Sequence, residues 1–187
     1  MGKLVVYNFV SLNGCFKGPN EDISWAKSGS NEEKEFAAGN LQSGNILLFG
    51  RVTYEMMAGY WPTAAALKND PIVAEGMNTA EKIVFSRTLK KAEWNHTRIV
   101  RDKMEEEIKK LKQVAGKDMT LLGSGSIVTQ LTEMGLVDEY QVMVHPVAIG
   151  GGTPLLKDIH QKLDLVLINT KTFKSGVVLL SYSPKEK

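Results

Sequence analysis

Residues 4–10, 45–50, 82–85 and 119–122 are short runs in which nearly every position is apolar. Runs of that length without alternation predict strands covered on both faces of a sheet. Between them, apolar positions recur at helical spacing. Phe36, Ala37 and Leu41 would line the inner face of a helix capped by Asn31 and running to about Gln42. A second helix follows Gly50 and ends at Tyr60-Trp61-Pro62; a third starts at Asp70-Pro71, where proline suits the first turn, and reaches about Asn78. Residues 103–115 read as a charged helix with Met104, Ile108 and Leu111 on one face and Gly116 at its end. Ile127, Val128, Leu131 and Met134 mark a last helix. Residues 97–100 and 138–147 are further strands. Residues 163–173 and 177–182 are two more, joined by the turn Lys174-Ser175-Gly176, and residues 183–187 form a polar tail.

Strands alternating with helices predict an α/β domain: three layers, with a mixed, mostly parallel central sheet and helices on both faces. The closing hairpin predicts an antiparallel edge. Residues 1–187 show no composition break or repeat, so a single domain is expected. Ligands of such sheets sit at the carboxyl ends of the strands.

Composition narrows the classes of function. The chain is 43% hydrophobic and 24% charged with a net charge of +2, an ordinary globular balance that gives no sign of nucleic-acid or membrane binding. The lone Cys15 excludes an intrachain disulfide, and the His, Cys, Asp and Glu spacings suggest no metal site. The first residues lead directly into a strand with no signal-peptide pattern, so a reducing cytoplasm is the expected compartment.

Three strand ends carry candidate chemistry. Met119-Thr120-Leu121-Leu122 runs into Gly123-Ser124-Gly125-Ser126 and then a helix. Glycines let backbone approach a ligand, and the free N–H groups of a helix start attract an anion. Gly50-Arg51-Val52-Thr53 adds a guanidinium and a hydroxyl to a second helix start, and Ser86-Arg87-Thr88 follows a third strand. Each has a plainer reading: Ser as an ordinary cap, Arg51 in a surface pair with Glu55 four residues on. Three together argue for a ligand with several phosphates.

Other segments admit two readings each. Ile23 and Trp25, in the long loop after Asn13-Gly14, either cover a ligand or plug the loop onto the core. Glu32 and Glu33 either point toward the sheet or serve as first-turn partners of the helix dipole. Gly150-Gly151-Gly152 is either a close approach or a flexible connection. His145, at a strand end, is placed to approach the site, although a solvent-facing or structural role is expected for it as for His96 and His160.

Taken in order, Ser11-Leu12-Asn13-Gly14, Leu48-Phe49-Gly50-Arg51-Val52-Thr53-Tyr54-Glu55, Lys82-Ile83-Val84-Phe85-Ser86-Arg87-Thr88-Leu89, Leu121-Leu122-Gly123-Ser124-Gly125-Ser126 and the stretch from Gly135-Leu136-Val137-Asp138-Glu139-Tyr140 to Gly150-Gly151-Gly152-Thr153-Pro154-Leu155 resemble the dihydrofolate reductase-like superfamily. Within it the chain looks most like stand-alone proteins related to the reductase (C-terminal) domain of the bifunctional riboflavin-biosynthesis enzyme RibD. The resemblance implies an eight- or nine-stranded sheet that binds NADPH. It implies adenosine-phosphate contacts from Arg51, Thr53, Ser86 and Arg87, with Gly50 at the same turn. It places the pyrophosphate at Gly123, Ser124, Gly125 and Ser126, and the nicotinamide near Val10 and Ser11.

The family's riboflavin-type members usually carry Asp where this chain has Asn13, an amide that does not titrate. Asn13 and Glu33 are the catalytic candidates, with Asp22 and an ordered water as alternative proton donors. The expected reaction is NADPH-dependent reduction of a small heterocyclic or phosphoribosylamino-pyrimidine-type substrate, related to 5-amino-6-(5-phosphoribosylamino)uracil reduction. Lys17 and the backbone of the three glycines are candidates for a substrate phosphate. Dihydrofolate reduction and dinucleotide binding without turnover are the alternatives. The resemblance also implies a homodimer, for which the C-terminal apolar strands could pair across chains.

Overall fold

The chain's elements follow one another as β1 (Leu4–Ser11), β2 (Cys15–Lys17), α1 (Asn31–Gln42), β3 (Ile46–Gly50), α2 (Arg51–Tyr60), α3 (Ala64–Asn69), α4 (Pro71–Thr79), β4 (Lys82–Phe85), β5 (Thr97–Val100), α5 (Met104–Lys112), β6 (Met119–Leu122), α6 (Gly125–Glu133), β7 (Glu139–His145), β8 (Thr153–Pro154), β9 (Leu165–Thr172) and β10 (Val178–Pro184). They are seen in a computed structural model that describes residues 1–26, 30–42, 44–114 and 116–185. Eight strands form one sheet in the order β5-β4-β3-β6-β1-β7-β10-β9, and β2 pairs with β8 in a separate two-stranded ribbon. Pairings from β5 across to β7 are parallel; β10 pairs antiparallel with both β7 and β9. The expected mixed sheet with its antiparallel closing hairpin is therefore observed.

The continuous apolar runs are explained by cover on both faces. Leu4, Val6, Leu48, Ile83 and Leu121 face α5 and α6, packing on Ile108, Leu111, Val128 and Leu131. On the opposite face, Leu47, Phe49 and Val84 meet Tyr54, Met77 and Trp94, while Tyr7, Met143, Phe173 and Leu179 pack with Phe36 of α1. Fully burying one such side chain contributes about 1.5–3 kcal/mol, so the two central layers dominate stability.

Several local expectations are revised. Ser30, not Asn31, caps α1: its Oγ accepts from the Glu33 N–H and donates to Glu33 Oε1 at 2.8 Å. Ser30-Asn31-Glu32-Glu33 is thus a variant of the capping box. An additional short helix, α3, is capped by Thr63, whose hydroxyl accepts from Ala66 N. Helix α5 ends at Lys112, and Ala115 lies outside the described residues, as do residues 27–29 of the long loop and residues 186–187 of the tail. Gly152 makes a close approach within the chain: a Cβ there would lie 2.8 Å from Cys15 Sγ.

Lys82 is fully buried in a strand that reads as apolar. Its ammonium closes the carboxyl end of α4, donating to the carbonyls of Met77 (2.8 Å), Asn78 (3.2 Å) and Ala80 (2.6 Å), and lies 4.6 Å from the Trp94 ring centre. These are carbonyls a helix end leaves without partners. Burial pushes the ammonium down to about 8. Lys82→Met keeps the apolar stem and strands the carbonyls, so it is expected to lower stability by about 2 kcal/mol, read as a lower urea midpoint at unchanged slope.

Candidate active site

Strands β3 and β6 are neighbours and run parallel, so their carboxyl ends open side by side and helices α2 and α6 start from the same rim. Gly123 and Ser124 both adopt left-handed backbone (φ +55° and +61°), which turns the chain sharply into α6. Gly123 is required there for a second reason: a Cβ would stand 3.0 Å from the Thr53 hydroxyl. Ser124 then stitches the two ends together. Its Oγ accepts from Gly50 N at 2.7 Å and donates to the Leu122 carbonyl at 3.2 Å, and its N–H donates to Thr53 Oγ1 at 3.0 Å. Ser124 stands at the cap position without capping α6, and α2 also lacks a side-chain cap. Two uncapped helix starts therefore open onto one cleft of about 550 Å³.

The cleft also holds Phe16, Lys17, Arg51, Ser126, Thr129 and Lys157. Phe16 lies directly over Gly125, where a Cβ would come within 2.7 Å of its ring. Each cation is paired: Lys17 with Glu21 at 2.5 Å, Arg51 with Glu55 at 3.0 Å, Lys157 with Asp158 at 3.9 Å. Exposed pairs of this kind contribute little, so the cations can be redirected to a ligand at low cost. Backbone N–H groups, hydroxyls and cations around a glycine-lined cradle are the donor set a diphosphate needs. These residues fit a dinucleotide.

A second group lies across β1, on the α1 face. Glu33 is buried and points toward the sheet, whereas Glu32 is half-buried and accepts from Lys174 N. His145, at the end of β7 and level with Ser11, is also buried, so of the solvent-facing and structural roles expected of it the solvent-facing one does not hold. Its ring meets those of Phe9 (5.4 Å, 76°) and Trp25 (5.5 Å, 88°) edge to face. Burial pushes the imidazole below its ordinary pKa while the Glu33 charge pulls it back up. Burial, with a smaller push from Glu33, raises the Tyr7 phenol above its usual range. The arrangement keeps His145 neutral at neutral pH beside a carboxyl group.

The RibD C-terminal domain family model matches residues 2–179. The chain belongs to that family. The Bacillus subtilis (strain 168) protein YyaP is 33% identical over 92% of this chain and 90% of its own length. A candidate riboflavin biosynthesis protein from Shewanella sp. PV-4 has the same fold, with a TM-score of 0.76 at 18% identity over 98% of this chain and 99% of that one. Dihydrofolate reductase from Enterococcus faecalis, complexed with NADP(H) and RAB-propyl, superposes with a TM-score of 0.66 at 14% identity, over 99% of this chain and 98% of that one.

On this RibD C-terminal scaffold, Gly50, Arg51, Thr53, Ser124, Gly125 and Ser126 line one cleft, with Gly123 in the turn behind it. Ser86 and Arg87 stand outside the lining, one strand over: Ser86 Oγ accepts from Thr88 N and Leu89 N, and the exposed Arg87 pairs with Asp102 at 3.5 Å. Val10 packs into the α6-side core, and Ser11 is buried, donating to Asn13 Oδ1 and accepting from Cys15 N. Phe16 and Lys157 were not anticipated from sequence, because a three-residue strand and a loop lysine leave no periodic signal. Alternation along β7 (Gln141, Met143, His145) was the available cue for His145.

Asn13 has both ends of its amide engaged. Nδ2 donates to the Ile149 carbonyl at 2.9 Å, and Oδ1 accepts from Ile149 N at 3.0 Å and from Ser11 Oγ at 2.8 Å. That geometry makes it a clamp between loops, and an amide carries no acidic proton to transfer. It also accounts for an amide here, since a carboxylate has no donor for the carbonyl. Asn13→Asp is expected to cost about 1 kcal/mol; unfolding by urea at pH 7 checks it, and an unchanged midpoint would show that the clamp contributes nothing.

Proposed function

We propose that the protein is an NADPH-dependent reductase of a small, polar heterocycle, within the chemistry of the RibD C-terminal family. The observation that carries this reading is the convergence of two uncapped helix starts, α2 and α6, on one cationic cleft at the carboxyl ends of β3 and β6. NADPH, when bound, supplies the hydride. The first-turn N–H groups of α2 and α6, Ser126 and Arg51 would hold its phosphates. Arg87, on the neighbouring strand end, is free to swing from Asp102 to a 2′-phosphate, the group that separates NADPH from NADH. Val10 and Ser11 would carry the nicotinamide at the end of β1. Glu33, buried against β1, would deliver a proton to the nitrogen or oxygen where negative charge develops. Its place on the first helix, facing the sheet, also favours a second reading, dihydrofolate-type pterin reduction. No helix among the described residues is long and apolar enough to cross a membrane, in keeping with action in the cytoplasm.

Titration with NADPH and NADH, followed by nicotinamide fluorescence, tests the reading. NADPH is expected to bind more tightly than NADH. Arg51→Ala should weaken both, and Arg87→Ala should weaken NADPH alone, each by about tenfold or more, the scale of one charge-assisted hydrogen bond. Binding of neither nucleotide would overturn the proposal.

A homodimer is proposed through β9. This edge strand is exposed along its whole length and presents Leu165, Val166, Leu167 and Ile168 in succession, the last two about half exposed. An apolar edge left open invites pairing with a second copy. Sedimentation should give a dimer for the native chain and a monomer for Leu167→Lys; a native monomer at high concentration refutes it.

A further inference from the structure

Among the described residues, Nε2 of His145 is a buried ring nitrogen with no hydrogen-bond partner. The residue is 4% exposed. A buried polar atom left unpaired costs free energy, so its retention calls for a reason, such as a bound water or ion, or a functional role. Trp25 is one of the two rings packed against the imidazole. The indole stands edge to face against the imidazole, with Phe9 on another side. Trp25 belongs to a short 3-10 turn, Ser24–Ala26, and its indole N–H donates to the carbonyl of Asp22 within the same loop. The loop can therefore carry that bond with it when it moves. The buried Glu33 is close enough for its charge to act on His145, and it acts in the same way on the buried Tyr7.

We propose that the Trp25 indole holds the place of the substrate's ring, and that His145 Nε2 is the atom that reads the ring once the indole is displaced. The inference rests on the reductase reading and adds one specificity residue and the loop residue that occludes it. The occupant is a planar heterocycle of one or two rings, matching the indole it replaces. Its edge carries a ring N–H or carbonyl to pair with Nε2 and lies within reach of Glu33. No side chain of the phosphate cleft takes part. His145 acts as a binding residue and Trp25 as a self-occluding plug, so their substitutions should move substrate affinity in opposite directions.

The probes are 6-methylpterin and uracil, added to protein carrying 15N-labelled histidine. At least one of them is expected to shift the Nε2 resonance of His145 while leaving those of His96 and His160 in place; His145→Gln assigns the signal. Trp25→Ala should tighten that probe several-fold. His145→Phe should weaken it by about tenfold with NADPH affinity unchanged. The shift in the native chain needs no variant to fold. No shift at His145 with either probe at millimolar concentration, or weaker binding in Trp25→Ala, would overturn the inference. Failure of the reductase reading shows separately, as absence of NADPH binding while the His145 shift persists.

Discussion

The structure depends on one close approach, that of the β3 and β6 ends. Two parallel strands side by side would normally send their helices off with independent caps. Here a single serine hydroxyl, Ser124 Oγ, bonds the backbone of both ends, and Thr53 returns the bond to the Ser124 N–H. The left-handed turn at Gly123 and Ser124 makes the contact possible. Because Ser124 is used this way, α6 starts without a side-chain cap. The architecture thus converts a capping residue into a staple and leaves the helix start free for an anion.

The sheet then separates two kinds of chemistry. At the β3 and β6 ends, donors and cations face an open cleft suited to a large anion. Beyond β1, toward β7, the surface becomes aromatic and closed, with a carboxyl group and an imidazole buried among rings. β1 lies between β6 and β7, so its carboxyl end is the place where the two meet. Under the proposed reductase reading, hydride donor and acceptor would meet there.

Much of the fold was legible because burial on both faces leaves an unbroken apolar run in the sequence, as in Ile46-Leu47-Leu48-Phe49. The phosphate-type turns were legible because glycine, serine and arginine at strand ends have few other reasons to cluster. What escaped has a physical reason in each case. Lys82 hides in an apolar strand because its charge is satisfied by a helix end that sequence does not place beside it. His145 is buried by a tryptophan 120 positions away in the chain. The Ser30–Glu33 box was overlooked because the adjacent Asn31 is also a good cap. The closing hairpin was legible as an antiparallel edge, but which of its two strands is left unpaired depends on the order of the sheet, which lies outside the local pattern.

The clamp at Asn13 has a mechanical consequence. Leu12 N bonds the Val147 carbonyl, Asn13 bonds both backbone groups of Ile149, Leu155 N bonds the Gly14 carbonyl, and β2 pairs with β8. The segment after β1 and the segment after β7 are therefore laced together from Leu12 to Lys17. Neither segment can lift away from the end of β1 without carrying the other or breaking these bonds.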